Sequence, residues 1–216
     1  MFQPKALTVA IVSSALLLTA CNSNDDDNVG LPSKAPVSSA TTTITVTPSL
    51  GKILNARVAL KNAKTGATLA ATKTLTPSSN GTATFTVPIT QLADPILAEV
   101  LPTTAGIVEY FDEALDKPKT INVPSTDIAK PILRAAASVQ ANANIGVTAL
   151  TEAAVQQAQK IAGKALLTTQ QVNDANTSVK NALKLNFDVT QAPIVVGAYD
   201  DYAKLINASL SAALEA

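Results

Sequence analysis

The chain has 216 residues, of which 47% are hydrophobic, 15% charged and only 3% aromatic, so it carries the apolar content of a globular body with few large anchors. Sixteen basic side chains balance sixteen acidic ones, which leaves no polybasic surface to neutralise phosphates and argues against a nucleic-acid partner. With no His, no Trp and one Cys, the composition excludes His-based acid/base catalysis, Ser-His-Asp and Cys-His nucleophiles, His or multi-Cys zinc sites and an intramolecular disulfide.

Residues 1–20 have the three parts of a secretory signal: a positive charge at Lys5, an apolar run over 6–18, and small residues after it. Thirteen helical residues at about 1.5 Å each cover roughly 20 Å, short of a hydrocarbon core near 30 Å, so the run is expected to be cleaved rather than to span. At the junction stand Leu18, Thr19, Ala20 and Cys21. These four resemble the lipobox of bacterial lipoproteins at every position. The resemblance implies a diacylglyceryl thioether on Cys21, cleavage before it and acylation of the new amino group, hence a membrane partner through lipid on Cys21. Three acyl chains on one residue meet the requirement that stable anchoring needs more than one chain, at about 0.8 kcal/mol per buried methylene.

Residues 21–41 are rich in Ser, Asn, Asp and Pro and poor in bulky apolar side chains, which predicts a flexible tether. Asn22 follows the cysteine where the inner-membrane retention signal of enterobacterial lipoproteins has Asp, so the resemblance favours the bacterial outer membrane, on its periplasmic side or at the cell surface. Asp25, Asp26 and Asp27 read as a solvated charge run of the tether.

Over residues 42–140 the pattern has period two, broken by turn signals. Segments 43–46, 56–60 and 82–87 alternate Thr or small polar residues with apolar ones, and the intervening turns end at Gly66 and Gly81, where a positive φ is needed. Further strands are expected at 96–101, 107–111, 120–123 and 132–139. About seven short strands in a hundred residues predict an antiparallel β-sandwich, within an α+β chain. The run from Ala56 to Pro88, with its alternating strand, Thr65-Gly66 turn, Thr-rich strand and Asn80-Gly81 turn before Phe85, resembles the transthyretin-like, carboxypeptidase-regulatory-like sandwich domains of bacterial surface proteins. That resemblance implies a stalk, spacer or binding module without catalytic residues.

From Gly146 onward the period becomes 3.6, and residues 141–216 read as a helical domain. Thr148 precedes a helix with Leu150, Ala153, Ala154, Ala158, Ile161 and Ala162 on one face and Gly163 as its stop. Thr168 to Gln171 has the form of a capping box opening a second helix through Val172, Ala175, Val179, Ala182 and Leu183. A third is expected from about Tyr199 through Tyr202, Leu205, Ile206, Leu210 and Ala213. Faces so rich in Ala bury little area, so docking on the sandwich is expected. The order of sandwich, the segment Gly146 to Glu152, then Ala-rich helices resembles a recurrent arrangement in bacterial envelope proteins.

Carboxylates gather at Glu109, Asp112, Glu113 and Asp116, with a pair at Asp200 and Asp201. Two carboxylates about 5–9 Å apart suffice for glycoside hydrolysis without His, but the chain lacks an aromatic-rich groove to stack a sugar, and none of the acids has the spacing of an EF-hand. No catalytic, metal or cofactor site is therefore expected. Tyr110, Phe111, Tyr199 and Tyr202 are expected to serve the core, since large side chains are scarce. Collagen-adhesin B-type sandwiches lock themselves with a Lys–Asn isopeptide bond; Lys52, Lys61, Asn55, Asn62 and Asn122 supply the residue types, but no acid motif accompanies them and no such bond is expected. The resulting expectation is a non-enzymatic lipoprotein serving as a spacer or interaction module at the bacterial envelope, with a protein or glycan partner. The alternative is a periplasmic accessory factor for an envelope enzyme or assembly machine.

Overall fold

Strict alternation governs the first strands of the computed structural model, which describes residues 40–112 and 115–193. The described residues lie in the compact unit Ser38–Ala216. β1 (Thr41–Pro48) turns Ile44 and Val46 inward and Thr43 and Thr45 outward. It hands the chain to β2 (Lys52–Asn62) through a tight turn closed by a Ser49–Lys52 bridge. β3 (Thr68–Leu75) pairs back onto β2, and β4 (Ala83–Pro88) returns to β1 with Ala83, Phe85 and Val87 buried and Thr84 and Thr86 exposed. β5 (Ile96–Leu101) and β6 (Ile107–Asp112) then follow β2 in one antiparallel direction, from Ile96 opposite Asn62 to Phe111 opposite Lys52, interrupted at 102–106. β7 (Lys117–Asn122) pairs with β6, β8 (Leu133–Ala137) with β5, and β9 (Asn144–Val147) with β1.

Two sheets result among the described residues, a three-stranded one in the order β4-β1-β9 and a six-stranded one in which β2 is the hub. They face each other across one core. Ile44, Val46, Phe85, Val87, Ile145 and Val147 from the small sheet meet Val58, Leu60, Ile96, Ala98, Val100 and Leu133 from the large one. Each fully buried Val, Leu, Ile or Phe side chain contributes about 1.5–3 kcal/mol of transfer free energy. The fold is thus α+β with a β-sandwich-like body.

Two features depart from the pattern read along the chain. The expected antiparallel sandwich ending near residue 140 continues to 147, because β9 crosses back and lies parallel to β1, Thr45 to Pro48 matching Asn144 to Val147. Its outer edge is closed by residues 190 and 191: the Gly146 N–H donates to the Thr190 carbonyl at 2.9 Å, and a Cβ at Gly146 would stand 2.6 Å from the Gln191 carbonyl oxygen. Only glycine fits there.

The second departure concerns the helices, α1 (Ala149–Ala162) and α2 (Thr169–Ala182). Both begin in reciprocal capping boxes, Thr148 with Thr151 and Thr168 with Gln171, and Gly163 ends α1 at φ 62°. The buried face of α1 runs through Thr151, Ala154, Val155 and Ala158, one position round from the predicted stripe, so Ile161 is 74% exposed. This face packs on Ala136 and Leu97 together with Leu167, Val172 and Ala175. The reason is steric: Ala136 offers only a methyl, and the small Ala154–Ala158 edge approaches it more closely than one bearing Ile161. The third helix expected from Tyr199 lies outside the described residues, as do residues 1–39.

Phe85→Ala is expected to cost about 3–5 kcal/mol in urea unfolding, whereas Ile161→Ser is expected to stay within about 0.5 kcal/mol of the parent. Equal losses at the two positions would contradict this packing.

Candidate functional site

The residues singled out for chemistry are separated by strand parity. Along β6 the side chains of Val108, Tyr110 and Asp112 point inward, while Glu109 and Phe111 lie on the opposite face. Glu109 and Asp112, three apart, therefore cannot act across one cleft. Asp112 is buried, accepts the Leu115 N–H at 3.1 Å and sits 3.1 Å from the Lys119 ammonium, so it is neutralised locally. Asp116 occupies the hairpin beyond it at φ 53°. Glu113, Asp200, Asp201, Tyr199, Tyr202 and the lipidation residue Cys21 lie outside the described residues. Tyr110 belongs to the core, as expected, while Phe111 is half-buried. Among the described residues no group of three or more acidic or Cys side chains is placed to hold a metal ion.

Of the Lys and Asn residues weighed for a covalent link, Lys61 and Asn62 are engaged elsewhere. Lys61 and Asn62 are neighbours on β2 and point to opposite faces. The Asn62 carboxamide accepts the N–H groups of Lys64 and Thr65, both at 2.9 Å, and so builds the turn into β3. It also donates to Asp94, whose carboxyl is held below its ordinary range by the hydrogen bonds from Lys64 and Asn62.

Lys61 instead starts a line of alternating charges under the helices. Its ammonium is 2.7 Å from Oε2 of Glu99 on β5, an ion contact whose angle falls outside hydrogen-bond geometry. Glu99 lies opposite Arg134 on β8. The Arg134 guanidinium grips Glu152 in the first turn of α1 through both Nε, at 3.0 Å, and Nη2, and gives Nη1 to Gln159 at 2.8 Å. The pKa of Arg134 is raised, first by the Glu152 hydrogen bonds and against the cost of burial. Four charges sum to zero between sheet and helix. Their arrangement docks the helix onto the sheet.

A more accessible concavity lies beside α2. Asn173, Asn176, Thr177 and Lys180 recur at i, i+3, i+4 and i+7 and face a groove of about 240 Å³ completed by Ala137 and Ser138 after β8 and by Asp188, Val189 and Thr190. Ser138 Oγ donates to Asn173 Oδ1 at 3.2 Å, Asn176 Nδ2 donates to the Ala136 carbonyl at 3.0 Å, and Lys180 meets Asp188 at 2.6 Å. The sequence reading missed this site, although the polar i, i+3, i+4, i+7 spacing on α2 was its signal. One wall of the groove, at Ala137 and Ser138, lies at the end of β8, where Ala137 pairs with Ile96; another, at Thr190, lies beside Gly146, which is opposite Thr47 on β1.

No protein-family model matches the chain, and neither a curated protein nor a solved structure matches it.

Glu152→Gln, which leaves the partly buried Arg134 without its carboxylate, is expected to destabilise the protein by about 1–3 kcal/mol in urea. The paired replacement Arg134→Met with Glu152→Leu is expected to recover most of that loss. A neutral single variant would mean that the helices are held by apolar contact alone.

Proposed function

We propose that this chain is a lipid-anchored, non-enzymatic protein of the bacterial outer membrane whose body serves as an interaction or spacer module. The observation that carries the reading is Leu18-Thr19-Ala20-Cys21 directly after a basic and apolar leader, the arrangement that places a lipid on Cys21. The polar, Pro-containing segment then acts as the tether, ending at residue 40 rather than 41, because Thr41 already pairs with Pro88 in β1. We further read the sandwich-like body as one of the transthyretin-like, carboxypeptidase-regulatory-like kind. Parity of the β6 carboxylates, the neutral charge balance and the absence of His from the sequence all favour binding over catalysis. No helix among the described residues is long and apolar enough to cross a membrane, which is compatible with a lipid as anchor.

Cys21→Ala is expected to move the protein from the membrane to the soluble fraction, or to leave it unprocessed. The parent protein is expected to begin at Cys21 and to carry acyl mass. A mature terminus elsewhere, or one without acyl mass, would sink the anchoring reading. Protease added to intact cells distinguishes the two orientations: cleavage places the body at the surface, and protection beside a cleaved surface marker places it in the periplasm, where the accessory-factor alternative applies.

A further inference from the structure

We propose that the groove between the end of β8, the 173/176/177/180 face of α2 and the 188–190 turn recognises one pyranose unit of a glycan. The inference rests on the reading of the body as an interaction module and names its partner class.

The groove selects by what it lacks and by what it leaves unpaired. Its single cation and single anion, Lys180 and Asp188, neutralise each other at 2.6 Å, so it offers little to a phosphate or carboxylate ligand. Ala137 and Val189 are its only apolar members, too few to hold a lipid or an apolar peptide. The remaining lining residues are Ser, Asn and Thr. Their hydrogen bonds within the chain are incomplete. Asn173 uses its oxygen for Ser138 and leaves its amide donors open, whereas Asn176 uses one amide donor and leaves its oxygen. The second carboxylate oxygen of Asp188, on a side chain 77% exposed, is also available as an acceptor.

Closely spaced donors and acceptors of no net charge complement a ring of hydroxyls, each of which both donates and accepts. At about 240 Å³ the groove is below the drug-sized range, a size suited to one unit of a longer chain.

The test is calorimetric titration of the full chain, purified in a detergent without a sugar headgroup, with chitotetraose, maltotetraose and cellotetraose, and with inorganic phosphate as the anionic probe. At least one oligosaccharide is expected to bind with a Kd of about 1 mM, as befits a small polar contact. Thr177→Val and Asp188→Asn are expected to weaken it about five- to tenfold each. Both side chains are exposed, so the variants are expected to keep the parent's urea midpoint. Absence of binding by all three glycans, tighter binding of phosphate, or affinity unchanged in both variants would overturn the proposal. Membrane retention of the same protein through Cys21 is measured separately, so a silent titration removes the glycan site without touching the anchoring reading.

Discussion

β5 and β8 of the large sheet are covered on both faces, and the placement of the helices follows from how that is done. β5 and β8 give Ile96, Ala98, Val100, Leu133 and Ala135 to the sandwich core, while the intervening Leu97, Glu99, Arg134 and Ala136 face the helices. A strand buried on both sides cannot leave a carboxylate or guanidinium unpaired, because desolvating a lone charge costs several kcal/mol. Glu99 and Arg134 are therefore tolerable only in register with Lys61 on one side and Glu152 on the other. The placement of α1 is dictated by this line of charges as much as by apolar contact.

Small side chains explain why polar interactions carry so much of the docking. Ala136, Ala154, Ala158 and Ala175 bury little area each, so the sheet–helix layer gains less per residue than the sandwich core, where Phe85 and several Ile and Leu side chains are fully removed from water. What small residues provide is close approach, and close approach brings backbone and side-chain polar groups within bonding distance. The Leu167 N–H reaches the Ala63 carbonyl at 2.8 Å, and Asn176 reaches the Ala136 carbonyl at 3.0 Å. Directional bonds of this kind fix the position of a helix pair that a smooth methyl surface would let slide.

The parts of the fold visible in the amino-acid sequence are those whose signal is local. Thr84-Phe85-Thr86-Val87 alternates because one face of β4 meets water and the other the core, and Thr148, Gly163 and Thr168 mark helix ends because orphan backbone groups need those residues nearby. β9 escaped because four residues including a glycine carry almost no periodicity, and its partner β1 lies about a hundred residues away. The exposed Ile161 was misassigned for a related reason: helical period defines a stripe only to within a residue or so, and the methyl of Ala136 decides which edge packs. The charge line and the groove were invisible because each joins side chains from separate elements. Only the 173/176/177/180 spacing within the groove could have been read in advance.

β1 and β2 are joined by a tight turn and so run in opposite directions, which puts the start of β1, the end of β2, the start of β5 and the end of β8 at one end of the body. The chain enters there, at Ala40, and Asn142 in the loop after β8 is tied to Thr42 by a 2.9 Å hydrogen bond. The Ser138 wall of the groove thus lies at the end of the body where β1 starts, whereas its Thr190 wall lies beside Gly146, opposite Thr47.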